Sequence, residues 1–253
     1  MTAWIALFAA LTGYLTGAVS FTRIIGNYVL PGEDFSKAEI PIKGSEKKFQ
    51  FSSYGATSIR AKAGAKYGCL TSVLDMIKVT FPTLAFRILY PESDYFLITA
   101  AAGVAGHNFP IYYRFKGGRG LSSFYGGLVV IDWLAIPVTT IVGTCIGFWF
   151  TKYAFLSFCG VTLTLLPWVW FRFHDVSHLL YAIAINIFFW IASIPDIKMY
   201  VAYKRSGEFD KATNRFAGLD TEFTLGPIVK LAERLGWKKK EKRSNPKNRK
   251  TKE

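Results

Sequence analysis

A succession of apolar segments separated by short charged stretches constrains this chain more than any other feature. The apolar runs occupy about 3–22, 67–86, 95–113, 121–131, 133–151, 153–171 and 178–195. Several approach the ~20 residues that an α-helix needs to cross ~30 Å of hydrocarbon. The stretch from Leu121 to Phe150 is longer than one crossing requires, and Asp132 and Pro137 interrupt it. It reads as two helices, the first short or tilted. Hydrophobic residues make up 51% of the chain, yet its formal net charge is +14. Both hold at once only when charge is segregated from apolar surface, as it is here. In lipid every backbone polar group must be satisfied internally, which a helix does within one segment. The expected fold is an all-α integral membrane protein with about seven transmembrane helices.

Lysine and arginine set the expected orientation. The segment 23–66 carries Arg23, Lys37, Lys43, Lys47, Lys48, Arg60, Lys62 and Lys66, and more basic residues lie at 114–120 and beyond Ser193. The connection Tyr90-Pro91-Glu92-Ser93-Asp94 is acidic apart from nearby Arg87. By the positive-inside rule the N-terminus faces out, while the first loop, the turn at 114–120 and the C-terminus face the cytoplasm. The first segment lacks a basic leader and a small-residue cleavage site, so it reads as a retained helix rather than a signal peptide. Residues 1–200 form the transmembrane domain, with 31–50 a cytoplasmic insertion, and 201–253 form a basic cytoplasmic tail. Within the tail, apolar residues recur at helical spacing over 227–237, which suits a helix lying at the membrane interface. The Lys- and Arg-rich end is too polar to fold alone, and anionic lipid is its expected partner. No nucleic-acid recognition module accompanies it, so nucleic acid is not an expected partner.

Metal and disulfide chemistry find little support. Cys69, Cys145 and Cys159 lie in or beside apolar segments with no CxxC pair, and read as small hydrophobes. His174 and His178 stand four apart, a metal-chelating spacing, but no third ligand is near in sequence. Asp175 and Ser177 beside them suit a helix N-cap instead. No cofactor and no metal are expected.

Two polar clusters stand out on the cytoplasmic side. Phe115-Lys116-Gly117-Gly118-Arg119-Gly120, with Gly106-His107 and Pro110 upstream, is a glycine-dense cationic turn between apolar segments. Its glycines let backbone N–H groups converge on one anion, Lys116 and Arg119 add charge, and a helix starting near Leu121 adds its positive end. A phosphate is the natural occupant; the spacing is not that of the soluble nucleotide-binding P-loop, so a nucleotide is not the first expectation. The alternative is a basic turn that only orients the protein. The second cluster is Ser52-Ser53-Tyr54-Gly55-Ala56-Thr57-Ser58-Ile59-Arg60, followed by a span holding Asp75 and Lys78. Charges at mid-bilayer cost ~2.5–3.5 kcal/mol each on insertion scales, so these two should pair or face a wet cavity. Their i, i+3 spacing puts them on one helix face. A bridge that only locks helices together and a direct role are both open.

Together these residues resemble the bacterial membrane acyl-phosphate:glycerol-3-phosphate acyltransferases (PlsY type). The family's first motif, a serine followed by Asn-x-Gly-Ala-Thr-Asn-x-x-Arg, is similar to Ser53-Tyr54-Gly55-Ala56-Thr57-Ser58-Ile59-Arg60. Its following Tyr-Gly and Leu-Asp-x-x-Lys are matched by Tyr67-Gly68 and Leu74-Asp75-Met76-Ile77-Lys78. Its second motif, Gly-His, a proline and Phe-Lys-Gly-Gly-Lys-Gly, is matched by Gly106-His107, Pro110 and Phe115 to Gly120, with Arg119 for the second lysine. Gly13-Tyr14-Leu15-Thr16-Gly17 and Thr151-Lys152-Tyr153 also resemble the family, and the resemblance covers roughly residues 8–200.

The resemblance implies a seven-helix enzyme of phospholipid synthesis in the cell (inner) membrane, with its site at the cytoplasmic face. It would move a fatty acyl group from acyl phosphate to the sn-1 hydroxyl of glycerol-3-phosphate, giving lysophosphatidate without a protein nucleophile. Lys116, Gly117, Gly118, Arg119 and Gly120 would then hold substrate phosphate. Ser53, Gly55, Thr57 and Arg60 would hold the acceptor, His107 would order the turn, and Asp75 and Lys78 would support it. The sequence also departs from the pattern: Ser53 and Ser58 replace the first motif's asparagines, and Phe155 and Phe158 stand where serines are expected. The third motif, His-Arg-x-Asn-Ile-x-Arg-Leu then Gly-x-Glu, should fall near Ile197 to Glu208, where neither the His nor the Asn occurs. Two other readings stay open: an acyltransferase with another polar acceptor, and a catalytically silent phospholipid-binding membrane protein.

Overall fold

The computed structural model describes residues 2–41, 48–52, 54–151 and 154–205. Ser53, the Lys152-Tyr153 pair, Gly207-Glu208 and the tail helix expected at 227–237 lie outside the described residues. The helices are α1 (Ala3–Gly17), α2 (Phe21–Val29), α3 (Ala56–Ala63), α4 (Ala65–Leu89), α5 (Tyr95–Asn108), α6 (Leu121–Ile131), α7 (Ala135–Thr151), α8 (Ala154–Phe173) and α9 (Val176–Arg205). A 3₁₀ turn, Ile111–Tyr113, follows α5. The segment expected as an insertion contributes β1 (Lys37–Pro41) and β2 (Lys48–Ser52), paired antiparallel with Lys37 opposite Ser52. Apart from this hairpin the described fold is helical.

Among the described residues, three stretches are long and apolar enough to cross a membrane: Ala3–Val29, Ala65–Leu89 and Val176–Lys198. Leu121–Ile131, Ala135–Gly147 and Phe158–Phe173 are apolar but shorter. Large hydrophobic side chains such as Trp4, Phe8, Phe81, Trp149 and Phe171 are exposed on the outer helix faces. Beneath them a core of Val104, Phe124, Leu128, Val161, Leu165 and Ile185 joins α5, α6, α8 and α9.

Small residues set how closely the helices approach. α1 lies on α5 so tightly that a Cβ at Gly13 would sit on the Thr99 carbonyl, and one at Gly17 on that of Gly103. A Cβ at Gly106 would likewise meet the Tyr14 carbonyl. Glycine seams of this kind let helix backbones pack where lipid supplies no hydrophobic drive.

Helix ends follow the sequence signals. Asp132, expected to interrupt the long apolar stretch, ends α6 and accepts bonds from the Leu134 amide (3.2 Å) and the Trp168 indole (2.9 Å). Asp175 precedes α9 and accepts from the His178 amide at 3.0 Å, so this cluster forms a cap. Among the described residues no group of three or more His, Cys, Asp or Glu could hold a metal ion. The three cysteines are free thiols.

Candidate functional site

The glycine turn is built against the end of α5. Arg114 and Phe115 take left-handed φ values of 53° and 59°, which reverses the chain after the 3₁₀ turn. Gly120, at φ 82°, then ends the turn as the N-cap of α6. That conformation is costly with a Cβ, and a side chain there would also meet the Asn108 amide oxygen. The Gly118 N–H donates to the His107 carbonyl at 3.2 Å, and a Cβ at Gly118 would strike the His107 imidazole. His107 thus lies directly beneath the turn.

Below the imidazole, α4 presents the buried pair Asp75 and Lys78. Their side chains meet at 2.7 Å and are 2% and 5% exposed, a burial that makes loss of either partner expensive. The Lys78 ammonium also donates to the Val19 carbonyl at 2.6 Å and stands 3.0 Å from His107 Nδ1. The Asp75 carboxylate is farther from that nitrogen, at 3.5 Å. With the cationic donor nearer, Nδ1 is best assigned as an acceptor and the ring proton as carried by Nε2. The pair, the imidazole and the turn form one connected polar column.

A cavity of about 160 Å³ opens beside this column. Gly55, Ala56 and Thr57 line it from the start of α3, Ser72 and Asp75 from α4, and His107 from α5. Arg119 and Gly120 contribute from the turn and Leu121 and Ser122 from α6, while Phe158 and Phe189 form an apolar wall. The Ser72 and Ser122 hydroxyls bond across it at 3.1 Å. A cavity of ~150 Å³ takes a benzene-sized molecule. The space therefore suits a small polar head, and a long acyl chain would need the apolar helix faces. α6 starts here, so its unpaired N–H groups and dipole favour an anion.

The structure brings Gly55, Thr57, Asp75, His107, Arg119 and Gly120 together at this cavity. Three other expected groups stand outside this lining or are already engaged. Arg60 is not among the lining residues; its Cβ packs where α3 crosses Gly68 of α4. The family motif places its arginine three residues after the second asparagine, whereas Arg60 is two after Ser58. One residue on a helix turns a side chain by ~100°. Lys116 is exposed, outside the cavity lining, because the left-handed residues before it swing it to the surface. The Gly118 amide is not free to meet an anion, since His107 already takes it.

Sequence reasoning missed Asp196. Its carboxylate, fully buried on α9, lies 3.5 Å from Arg119 Nε. Burial pushes the Arg119 guanidinium below its ordinary pKa and the Asp196 carboxylate pulls it back up. Ser72 and Ser122 were also missed, although Ser122-Ser123 follows Gly120 directly in sequence. An acidic residue directly at the end of the last apolar run was the available signal for Asp196.

A family model for glycerol-3-phosphate acyltransferase matches residues 7–203. The chain is 31% identical over 151 residues to a glycerol-3-phosphate acyltransferase of Pelagibacter ubique (strain HTCC1062), covering 60% of this chain and 71% of that protein. It is 30% identical over 169 residues to one from Mycoplasmopsis synoviae (strain 53), covering 62% and 70%. Among solved structures it is similar to PlsY (YgiH), an integral membrane glycerol 3-phosphate acyltransferase, in its glycerol 3-phosphate form. That match has a TM-score of 0.64 and 25% identity, covering 78% of this chain and 92% of the other. The lysophosphatidic acid form matches with the same TM-score of 0.64.

Proposed function

The chain belongs to the glycerol-3-phosphate acyltransferase family, and we propose that it transfers a fatty acyl group from acyl phosphate to the sn-1 hydroxyl of glycerol-3-phosphate. The products are lysophosphatidate and inorganic phosphate. Family membership makes it a membrane acyltransferase of phospholipid biosynthesis; the donor, the position acylated and the sidedness are the proposal. The cytoplasmic face of the inner membrane suits it, because both polar loops that meet at the cavity carry basic residues. Anionic lipid would hold the basic tail.

The observation that carries this reading is the meeting of the glycine turn with the first polar loop around one small cavity. Arg119 and the start of α6 would hold phosphate, and Thr57, Ser72 and Ser122 would hold the hydroxyl-bearing acceptor. The acceptor oxygen attacks the acyl carbonyl carbon, forming a C–O bond. The bond from that carbon to the phosphate oxygen breaks, and phosphate leaves with the electron pair. The hydroxyl proton passes to a phosphate oxygen. A mixed anhydride has a good leaving group, so positioning and charge neutralisation can supply most of the rate. His107 and Gly120 would order the turn, with Asp75 and Lys78 fixing His107.

One observation favours a second reading, an acceptor less charged than glycerol-3-phosphate. Asp196 already faces Arg119 at 3.5 Å, and an anion must share that guanidinium with it. The assay is purified protein in lipid with acyl phosphate and glycerol-3-phosphate, following phosphate release and acylated product. Both products appearing together is the expected result. Phosphate release without acylated glycerol phosphate supports the second reading. No release with any acceptor refutes acyl transfer.

A further inference from the structure

Arg23, which the sequence presents only as one of many basic residues in the first loop, reaches the glycine turn from α2. Its Nη2 donates to the Lys116 carbonyl at 2.6 Å, across 93 positions of sequence. Its Nη1 lies 3.2 Å from the Ser20 hydroxyl, which caps the start of α2 and so braces the guanidinium. The same group sits 3.5 Å from the centroid of the Tyr54 ring and 4.2 Å from that of Tyr113. Tyr54 belongs to the first polar loop, and its N–H donates to the Gly117 carbonyl at 3.2 Å. One planar cation therefore touches the first loop, the 3₁₀ turn and the glycine turn.

We propose that Arg23 is a positioning residue that clamps the glycine turn to the first loop and so holds Arg119 over the cavity. The proposal rests on the acyl-transfer reading for its consequence in turnover, and on contacts alone for its effect on the turn. The chemistry requires arginine. A guanidinium is flat, so it can stack on aromatic rings while its fork donates in plane to a hydroxyl and a carbonyl. A lysine ammonium is a compact point charge and cannot make the stacked and in-plane contacts together. Without the clamp, a turn holding two left-handed non-glycine residues loses its outer support on the α2 side, leaving the Gly118 bond to His107, the Tyr54 bond to Gly117, the Arg119–Asp196 pair and the turn's own backbone bonds to hold it.

The test uses the full chain in lipid and compares wild type with Arg23→Lys, Arg23→Ala and Tyr113→Leu. Amide hydrogen exchange over 114–120 should quicken at least tenfold in both Arg23 variants and several-fold in Tyr113→Leu, which alters no charge. With acyl phosphate and glycerol-3-phosphate, kcat/KM should fall at least tenfold in Arg23→Lys while its Tm stays within a few degrees of wild type. A role in folding alone would lower Tm and leave kcat/KM per folded molecule unchanged, which overturns the proposal. Wild-type exchange in Arg23→Lys overturns it as well, whatever alanine does, and should Arg23→Lys fail to fold, wild-type exchange in Tyr113→Leu does the same. If wild type itself transfers no acyl group, the acyl-transfer reading fails, and the exchange rates still decide the clamp.

Discussion

Asp75→Asn removes one charge from the column under the glycine turn and leaves the other buried. At 2.7 Å the pair attracts by about 6 kcal/mol gross with an effective dielectric of ~20. Desolvation of both ions consumes part of that, and breaking buried pairs costs ~3–5 kcal/mol. Lys78 keeps the Val19 carbonyl at 2.6 Å, which places the loss at the lower end, about 3 kcal/mol. For a chain of this size that corresponds to a fall in Tm of ~6–12 °C. The double replacement Asp75→Leu with Lys78→Met removes both charges and should recover most of the loss, since a well-packed apolar pair is often as stable as a buried ionic one. Thermal unfolding in one detergent, run as a double-mutant cycle, measures this. The acyl-transfer rate of the double variant should stay low, because His107 loses the ammonium 3.0 Å from Nδ1. A Tm for Asp75→Asn within 1–2 °C of wild type would refute the reasoning, since the pair would then contribute far less than ~3 kcal/mol.

Two further outcomes test the site and a third tests a helix cap outside it. Arg119→Ala should lower kcat/KM at least tenfold in the acyl-transfer assay, and near wild-type turnover would remove phosphate binding from the turn. Gly120→Ala adds a Cβ at φ 82° against the Asn108 amide oxygen; at ~1 kcal/mol or more of backbone strain it should lower Tm by several degrees and reduce turnover. Asp175→Ala removes the bond to the His178 amide and should cost about 1 kcal/mol by denaturant or thermal unfolding, with kcat unchanged, because the cap lies away from the cavity.

Local signals were legible in the sequence and long-range pairings were not. Asp132 between two apolar runs marked the break between α6 and α7, because a carboxylate there has no place in a continuous lipid-facing helix. Asp75 and Lys78 announced their pairing through spacing on one helix turn. Nothing comparable pointed to Arg23 and Lys116 or to Arg119 and Asp196, which meet only once the helices are packed. The place of Arg60 outside the cavity lining has a different cause. A motif match by residue type ignores phase, and on α3 a one-residue offset moves the side chain to another face. The exposed position of Lys116 was hidden in the same way, since the two left-handed residues before it are invisible to charge counting.

The glycine seam between α1 and α5 has a mechanical consequence for turnover. Gly13, Gly17 and Gly106 interlock with Thr99, Gly103 and Tyr14 at successive levels along the two helices. Sliding one helix past the other by a single residue, ~1.5 Å, would drive side chains into all these contacts at once. The seam acts as an axial stop. His107, the residue after Gly106, is thereby held at a fixed level relative to the N-terminal helix, so the base of the glycine turn is tied to α1 as well as to α4.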